Sequence, residues 1–261
     1  MDRTGPILEF RVSAAYGQGT VLHEVAGRLE RGEIASLVGL SGSGKSTLAL
    51  ALLRLLHYRG GEVTGSIVLE GRELIGLNES EMRSIRGRSV GYVPQSPAAA
   101  LNPRLTVQTL LDETWRAHAK QKPAGDFYRT LLESVHLPAD RDFLTRKAGQ
   151  LSTGQGQRLL IALGIMHNPA MLIADEPTSA LDAITQAAVL KLFEELNQSR
   201  GAAILFISHD LLSVAAISHR VDILSEGRIV ETGTPEQIFR HPSHAFTKQL
   251  VAAMPQLPRS I

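Results

Sequence analysis

The sequence predicts an α/β protein: a phosphate-binding-loop core carrying a small antiparallel β subdomain and an α-helical subdomain. Three observations lead there. The stretch Gly39-Leu40-Ser41-Gly42-Ser43-Gly44-Lys45-Ser46-Thr47 lies between two apolar runs, Ile34–Val38 and Leu48–Leu53, so strand, glycine-rich turn and helix follow one another. Short apolar runs at Val90–Val93, Met171–Ala174 and Ala203–Ile207 read as further buried strands. Residues 97–149, by contrast, carry helical periodicity and no strand-like run.

The glycine-rich stretch sets the chemistry. Gly39 and Gly44 bracket four residues ahead of Lys45 and Ser46, the spacing of a loop that binds phosphate. The backbone from Gly39 through Ser41, Gly42 and Gly44 can curl so that its N–H groups face one anion. The new helix adds the free N–H groups and positive dipole end of its first turn, at Lys45, Ser46 and Thr47. Lys45 can reach the β- and γ-phosphates and the Ser46 hydroxyl can ligate Mg²⁺. A Gly/Ser-rich turn that merely contains a lysine is the plainer alternative, and the flanking strand and helix weigh against it. The chain is expected to bind a nucleoside triphosphate.

In chain order, Ile7–Val12 alternates as a strand, Tyr16–Thr20 reads as a turn and Val21–Leu29 as a second strand. Tyr16 is a candidate to stack on a base, or equally a tyrosine packed on the edge of a small sheet. Ser66–Leu69 is β-prone, and Asn78–Arg86 reads as a short helix capped by Asn78. Gln95 follows the strand that Pro94 stops, at the kind of strand end where ligands gather in open sheets; alone it would be a loop amide. Residues 98–103 read as a loop, then Thr106–Lys120 and Asp126–Val135 as helices. Ser152 is a natural cap for the apolar helix at Leu159–Met166. Asp175 and Glu176 follow an apolar strand, where Asp175 would hold Mg²⁺ through water and Glu176 could polarise an attacking water. Ser179–Asp182 leads into a helix at Ala183–Asn197. His209 ends the next strand, where it could bond a terminal phosphate, although a lone histidine is more often structural. Val221–Leu224 and Ile229–Glu231 flank a hairpin turn, and helices are expected near Pro235–Phe239 and Ala245–Ala253, before an ordered peripheral end with Pro255 and Pro258.

Composition narrows the class. A chain of 261 residues with 27 basic and 26 acidic side chains has a formal charge of +1, which gives no sign of a nucleic-acid-binding surface. The absence of cysteine excludes disulfides and thiolate metal sites. No apolar run reaches the roughly 18–20 residues of a membrane span, and Met1–Pro6 lacks the apolar core of a signal peptide. The expectation is a soluble protein that meets a membrane only through partners.

Taken together, these motifs resemble the ATP-binding cassette (ABC) ATPase family over nearly the whole chain and in that family's order. Gly39–Ser46 resembles Walker A, and Met171–Asp175 resembles Walker B with Glu176 as its catalytic carboxylate. Gln95 matches the Q-loop, Leu151–Gln155 the signature, Ser179–Asp182 the D-loop and His209 the switch histidine. The resemblance implies one ABC ATPase domain over 1–261: a β subdomain and core at 1–96 and 150–233, a helical subdomain at 97–149 and a helical tail at 234–261. It implies catalytic roles for Glu176, His209 and Gln95, and ATP contacts from Tyr16 on adenine and from Ser152, Gly154, Gln155 and Asp182. It implies Mg²⁺ held by Ser46, Gln95 and Asp175.

Pro94–Pro97 leading into Leu101–Arg104, Leu172–Thr178 and His241–Thr247 are similar to the dipeptide, oligopeptide and nickel importer branch. The signature departs from the family in having Thr153 where glycine is usual, and the tail lacks the cysteines of some members. What this similarity implies is an ATP-hydrolysing subunit at the cytoplasmic face of the cell membrane, peripheral to it. Its partners would be a second cassette, identical or related, and transmembrane permease subunits, with a substrate-binding protein acting indirectly and no nucleic acid. A cassette ATPase of DNA repair or translation would carry coiled-coil insertions or two cassettes. A small-molecule kinase would leave Leu151–Gln155 and His209 without a role, and a binding-only cassette would need neither Glu176 nor His209.

Overall fold

The structure, a computed structural model, describes residues 5–17 and 19–253; the expected end at Pro255 and Pro258 lies outside them. The chain opens with β1 (Leu8–Tyr16) and β2 (Gly19–Leu29), paired antiparallel from Leu8↔Leu29 to Tyr16↔Gly19. The tight Tyr16↔Gly19 closure makes the expected turn shorter than Tyr16–Thr20. β3 (Ile34–Val38) is buried along its whole length and leads through the glycine-rich loop into α1 (Lys45–Leu52).

β4 (Gly61–Leu69) and β5 (Arg72–Glu73) complete a four-stranded antiparallel sheet in the order β2-β1-β4-β5. β4 is longer than the Ser66–Leu69 expected, because its glycines mask a strand that β1 pairs along its full length. α2 (Glu79–Ile85) starts at the expected Asn78 cap, and Glu81 makes that cap reciprocal. β6 (Val90–Val93) ends at Pro94.

The stretch after β6 is helical, but in shorter pieces than periodicity predicts: α3 (Pro97–Ala100), α4 (Val107–Arg116), α5 (Phe127–Glu133) and α6 (Arg141–Thr145). α3 falls in the segment expected to be a loop; Pro97 at its first position fixes a helical φ and gives up no hydrogen bond there. α7 (Thr153–Ile165) begins directly after the Ser152 cap, six residues before the apolar run that predicts it. β7 (Met171–Asp175), α8 (Ala183–Arg200) and β8 (Ala203–Ser208) follow, then α9 (Leu211–Ile217), which the sequence reading did not anticipate. The hairpin β9 (Arg220–Ser225) and β10 (Arg228–Gly233) turns at Glu226 and Gly227, both at positive φ, and α10 (Pro235–Arg240) and α11 (Ala245–Ala252) close the described chain.

The second sheet has six strands in the order β10-β9-β3-β8-β7-β6. β9, β3, β8, β7 and β6 are parallel, with β10 antiparallel at one edge. Period-two alternation sorts its side chains onto two faces. Leu172, Ala174, Ile204 and Phe206 join an apolar cluster with α7, α8 and the helical stretch, through Leu111, Leu132 and Phe143. Met171, Ile173, Leu205 and Ile207 join another with α1 and the antiparallel sheet. The helical stretch is thus packed into the core continuously through α7. Register then fixes the site: Val38 pairs with Ser208, Asp175 with Ile207 and Val93 with Ala174, so the loops after β3, β6, β7 and β8 leave the sheet along one edge.

Phe206 and Phe193 are both fully buried and meet edge to face at 5.6 Å between ring centroids. Phe206→Ala should cost about 3–5 kcal/mol, a large share of the ~5–15 kcal/mol of a typical domain. Urea unfolding should show the midpoint fall with the slope unchanged.

Candidate active site

The loop after β3 is built around close approaches. A Cβ on Gly39 would lie 2.3 Å from the Leu224 carbonyl oxygen and 2.6 Å from Ser43 Oγ, so only glycine fits there. Gly44 caps α1 at φ 106, a left-handed conformation, and brings no side-chain acceptor. The first-turn N–H groups of α1 therefore have no partner from the cap, and α1 closes its first backbone bond only at Leu48, to Gly44. The Ser43 hydroxyl is buried and makes no protein hydrogen bond. A backbone curl with unpaired N–H donors, a buried free hydroxyl and no room for a Cβ fits a polyphosphate.

Lys45 is 5% exposed and donates to the carbonyls of Gly39 (2.9 Å) and Leu40 (3.1 Å). Its Nζ also lies 3.6 Å from Glu176 Oε1. Ser46 Oγ donates to Asp175 Oδ1 at 3.1 Å, which joins two of the three expected Mg²⁺ ligands across the α1–β7 gap. A hydroxyl and a carboxylate are the hard oxygen donors Mg²⁺ takes beside phosphate oxygens. Burial pushes the Asp175 carboxyl up from its ordinary range and the neighbouring Glu176 charge adds to this, while Ser46, Tyr92 and Lys45 act against it. Tyr92 Oη sits 3.4 Å from Asp175 Oδ2, and burial first, then Asp175, raises its pKa. Tyr92 escaped the sequence reading; its only signal there was its place in the strand that leads to Gln95.

Glu176 collects the other predicted residues. It stands at φ 48 directly after β7, and its N–H donates to the Ile207 carbonyl on β8. Its carboxylate accepts from Gln95 Nε2 at 3.0 Å and lies 3.1 Å from His209 Nδ1. Ser179 joins through its hydroxyl, which donates to the Glu176 carbonyl at 3.1 Å and lies 3.5 Å from Gln95 Nε2. Gln95 lies on the Glu176 side of the group, and no described hydrogen bond joins it to Ser46 or Asp175.

The remaining candidates lie elsewhere. Tyr16 is half-buried, with its ring over Gly61 at the closed end of the β1–β2 hairpin. Ser152 caps α7 reciprocally with Gln155. With Gly154 and Asp182 they line a cavity of about 330 Å³. The Asp182 carboxylate caps α8 through the N–H groups of Ile184 and Thr185, and these bonds with the Thr185 hydroxyl hold it below the usual carboxylate range. Among the described residues, no hydrogen bond joins this cluster to Lys45 or Glu176. Thr153 is the first residue of α7 and is not among the residues at positive φ, so the backbone there does not require glycine.

Residues 22–179, from β2 past Glu176, match the ABC transporter family. The chain belongs to that family. Among curated members it is 42% identical over 248 residues to the glutathione import ATP-binding protein GsiA of Salmonella choleraesuis, covering 92% of this chain and 40% of that protein. To GsiA of Escherichia coli it is 43% identical over 237 residues, 88% of this chain and 38% of that protein. The chain therefore spans about two fifths of the length of these relatives. An ATP-binding cassette solved as a dimer after hydrolysis, with ADP and Pi bound, superposes with a TM-score of 0.75 at 26% identity, over 87% of this chain and 98% of that one. CbiO1 of Clostridium perfringens, part of the ABC transporter complex cbiONQ, superposes at 0.76 with 25% identity, over 90% and 91% of the two chains. The mixed α/β fold of this chain is that of these cassettes.

The crowding at Gly39 predicts that Gly39→Ala, which drives a methyl into the Leu224 carbonyl, destabilises the protein by about 1–3 kcal/mol. Thermal unfolding should show a lowered midpoint.

Proposed function

We propose that this ABC cassette hydrolyses ATP to ADP and phosphate and powers an importer of small peptide-like solutes. The observation that carries the reading is the convergence of Lys45, Gln95 and His209 on the Glu176 carboxylate, beside a phosphate-shaped loop. Lys45 and the loop N–H groups bind the β- and γ-phosphates. Glu176 orients a water in line with the γ-phosphorus and accepts its proton as the new P–O bond forms and the bond to the β-phosphate oxygen breaks. His209, exposed at the strand end, contacts the terminal phosphate, and Gln95 holds the Glu176 carboxylate in place. Ser46 and Asp175 would hold Mg²⁺, which would supply positive charge against that of the triphosphate.

Tyr16, half-buried over Gly61, stacks on the adenine. The Ser152–Gln155 and Asp182 cluster serves ATP bound by a second cassette, identical or related, because it lies apart from this chain's own phosphate loop. The transporter itself is membrane-embedded, and this chain docks on its permease subunits from the cytoplasmic side through the Gln95–Leu105 loop. No described helix is long and apolar enough to cross a membrane. Two relatives named for glutathione import favour a peptide-like cargo over nickel.

Glu176→Gln keeps the shape and removes the base, so ATP binding should persist while turnover falls by about 100-fold or more. Steady-state ATPase near the parent rate would remove Glu176 from the chemistry. Arg104→Glu, at an exposed position of the proposed docking loop, should leave basal ATPase unchanged and weaken recovery of the permease subunits when the protein is purified from membranes. Recovery equal to the parent would move the docking surface elsewhere.

A further inference from the structure

The first turn of α7 is notched by glycines on two sides, and the notches seat different elements. A Cβ on Gly154 would lie 2.6 Å from Thr185 Cγ2, on the first turn of α8. A Cβ on Gly156 would lie 2.9 Å from Pro97 Cβ, on the first turn of α3. Gly156 and Pro97 are both buried. Each seated element follows a loop that touches Glu176: Pro97 stands two residues after Gln95, and the α8 cap at Asp182 three residues after Ser179.

We infer that Gly156 is a positioning residue for Gln95: by seating Pro97 against α7 it fixes where the Gln95 amide meets the Glu176 carboxylate. The contact is stiff on both sides. Gly156 lies in the first closed turn of α7, where its N–H donates to the Ser152 carbonyl at 2.8 Å. Pro97 meets it with a ring carbon one bond from its own backbone, so an added methyl cannot be absorbed by a side-chain rotation. The displacement passes along α3, which is a single turn (Pro97–Ala100), and back through Ser96, the one residue between Pro97 and Gln95. Gln95 is itself exposed, and its described side-chain bonds go to Glu176 and Ser179, so little else holds its loop in register. The same α7 turn begins with Ser152, so the seat also ties the Gln95 loop to the signature cluster within one chain.

This inference rests on the catalytic role proposed for Glu176 and Gln95, and the test separates the two. Gly156→Ala, Gln95→Ala and the double variant are compared in the full-length protein purified with its membrane partners, by ATPase kinetics and by ATP affinity. Gly156→Ala should lower kcat about ten-fold, which is ~1.4 kcal/mol in the barrier, with ATP affinity within about two-fold of the parent. In the Gln95→Ala background the same substitution should cost nothing further, since the residue it acts through is gone. Pro97→Gly, which removes the crowded ring carbon, should restore most of the loss when combined with Gly156→Ala. A variant that folds poorly would betray itself by losing ATP affinity and thermal midpoint together; hydrogen exchange over residues 94–101 in Pro97→Gly alone then decides, faster exchange supporting the seat and unchanged exchange overturning it. Equal losses from Gly156→Ala with and without Gln95 would also overturn it. Full activity of Gln95→Ala would instead refute the proposed role of Gln95.

Discussion

Everything at the site depends on one carboxylate being held at the end of a strand. Glu176 follows five buried residues of β7; its N–H continues the parallel ladder to the Ile207 carbonyl on β8, and its left-handed φ then turns the chain out of the strand. For a residue with a Cβ that conformation costs about 1–2 kcal/mol, and it persists because parallel neighbours on both sides fix the strand. Three different loops then meet a single group: Lys45 from the loop after β3, Gln95 from that after β6 and His209 from that after β8. Without the register that aligns Val38, Val93, Asp175 and Ser208, these side chains would leave the sheet at different heights.

The electrostatics follow from the same crowding. Asp175 and Glu176 set two carboxylates side by side, and burial of the first makes its ionised form costly. The counterweights are few: Lys45 is the buried cation, and Ser46 and Tyr92 supply hydroxyls to Asp175. On the proposed reading, a divalent ion held by Ser46 and Asp175 would offset part of the negative charge that these carboxylates and the incoming phosphates bring together. That is a physical reason for Ser46 and Asp175 to face each other at 3.1 Å while Lys45 reaches between the loop carbonyls and Glu176.

Much of this was legible in the sequence. Buried strands announced themselves as unbroken apolar runs, and the residues at their ends, Gly39, Gln95, Asp175, Glu176 and His209, could be placed on one edge because parallel sheets put them there. Caps at Asn78 and Ser152 were equally readable from residue type and place, and the structure adds the reciprocal bonds of Glu81 and Gln155. What escaped is what packing alone decides. The first turn of α7, with glycine at 154 and 156, has poor helix propensity and forms because neighbouring helices fit against it. α9 was hidden because its seven residues follow the strand-end motif directly. The single turn α3 is too short for periodicity to detect, and Tyr92 sits on a strand where alternation says only that it faces one side. Single residues hint at the helices, with Ser152 capping α7, Pro97 opening α3 and Asp210 capping α9, but how far each element extends is set by packing.

The same distinction accounts for Thr153. Its place in the signature belongs to glycine in the family, yet here the residue is exposed and begins a helix without a positive φ. Its two neighbouring glycines are the constrained ones: a Cβ at 154 would strike Thr185 and a Cβ at 156 would strike Pro97. The first turn of α7 thus keeps glycine where other helices press on it. It carries a side chain at the position that faces the open cavity beside Ser152 and Asp182. There a threonine adds a methyl and a hydroxyl without displacing the backbone N–H groups behind it. Thr153 therefore changes the wall of the cavity, while Ser152 still caps the helix through the N–H of Gln155.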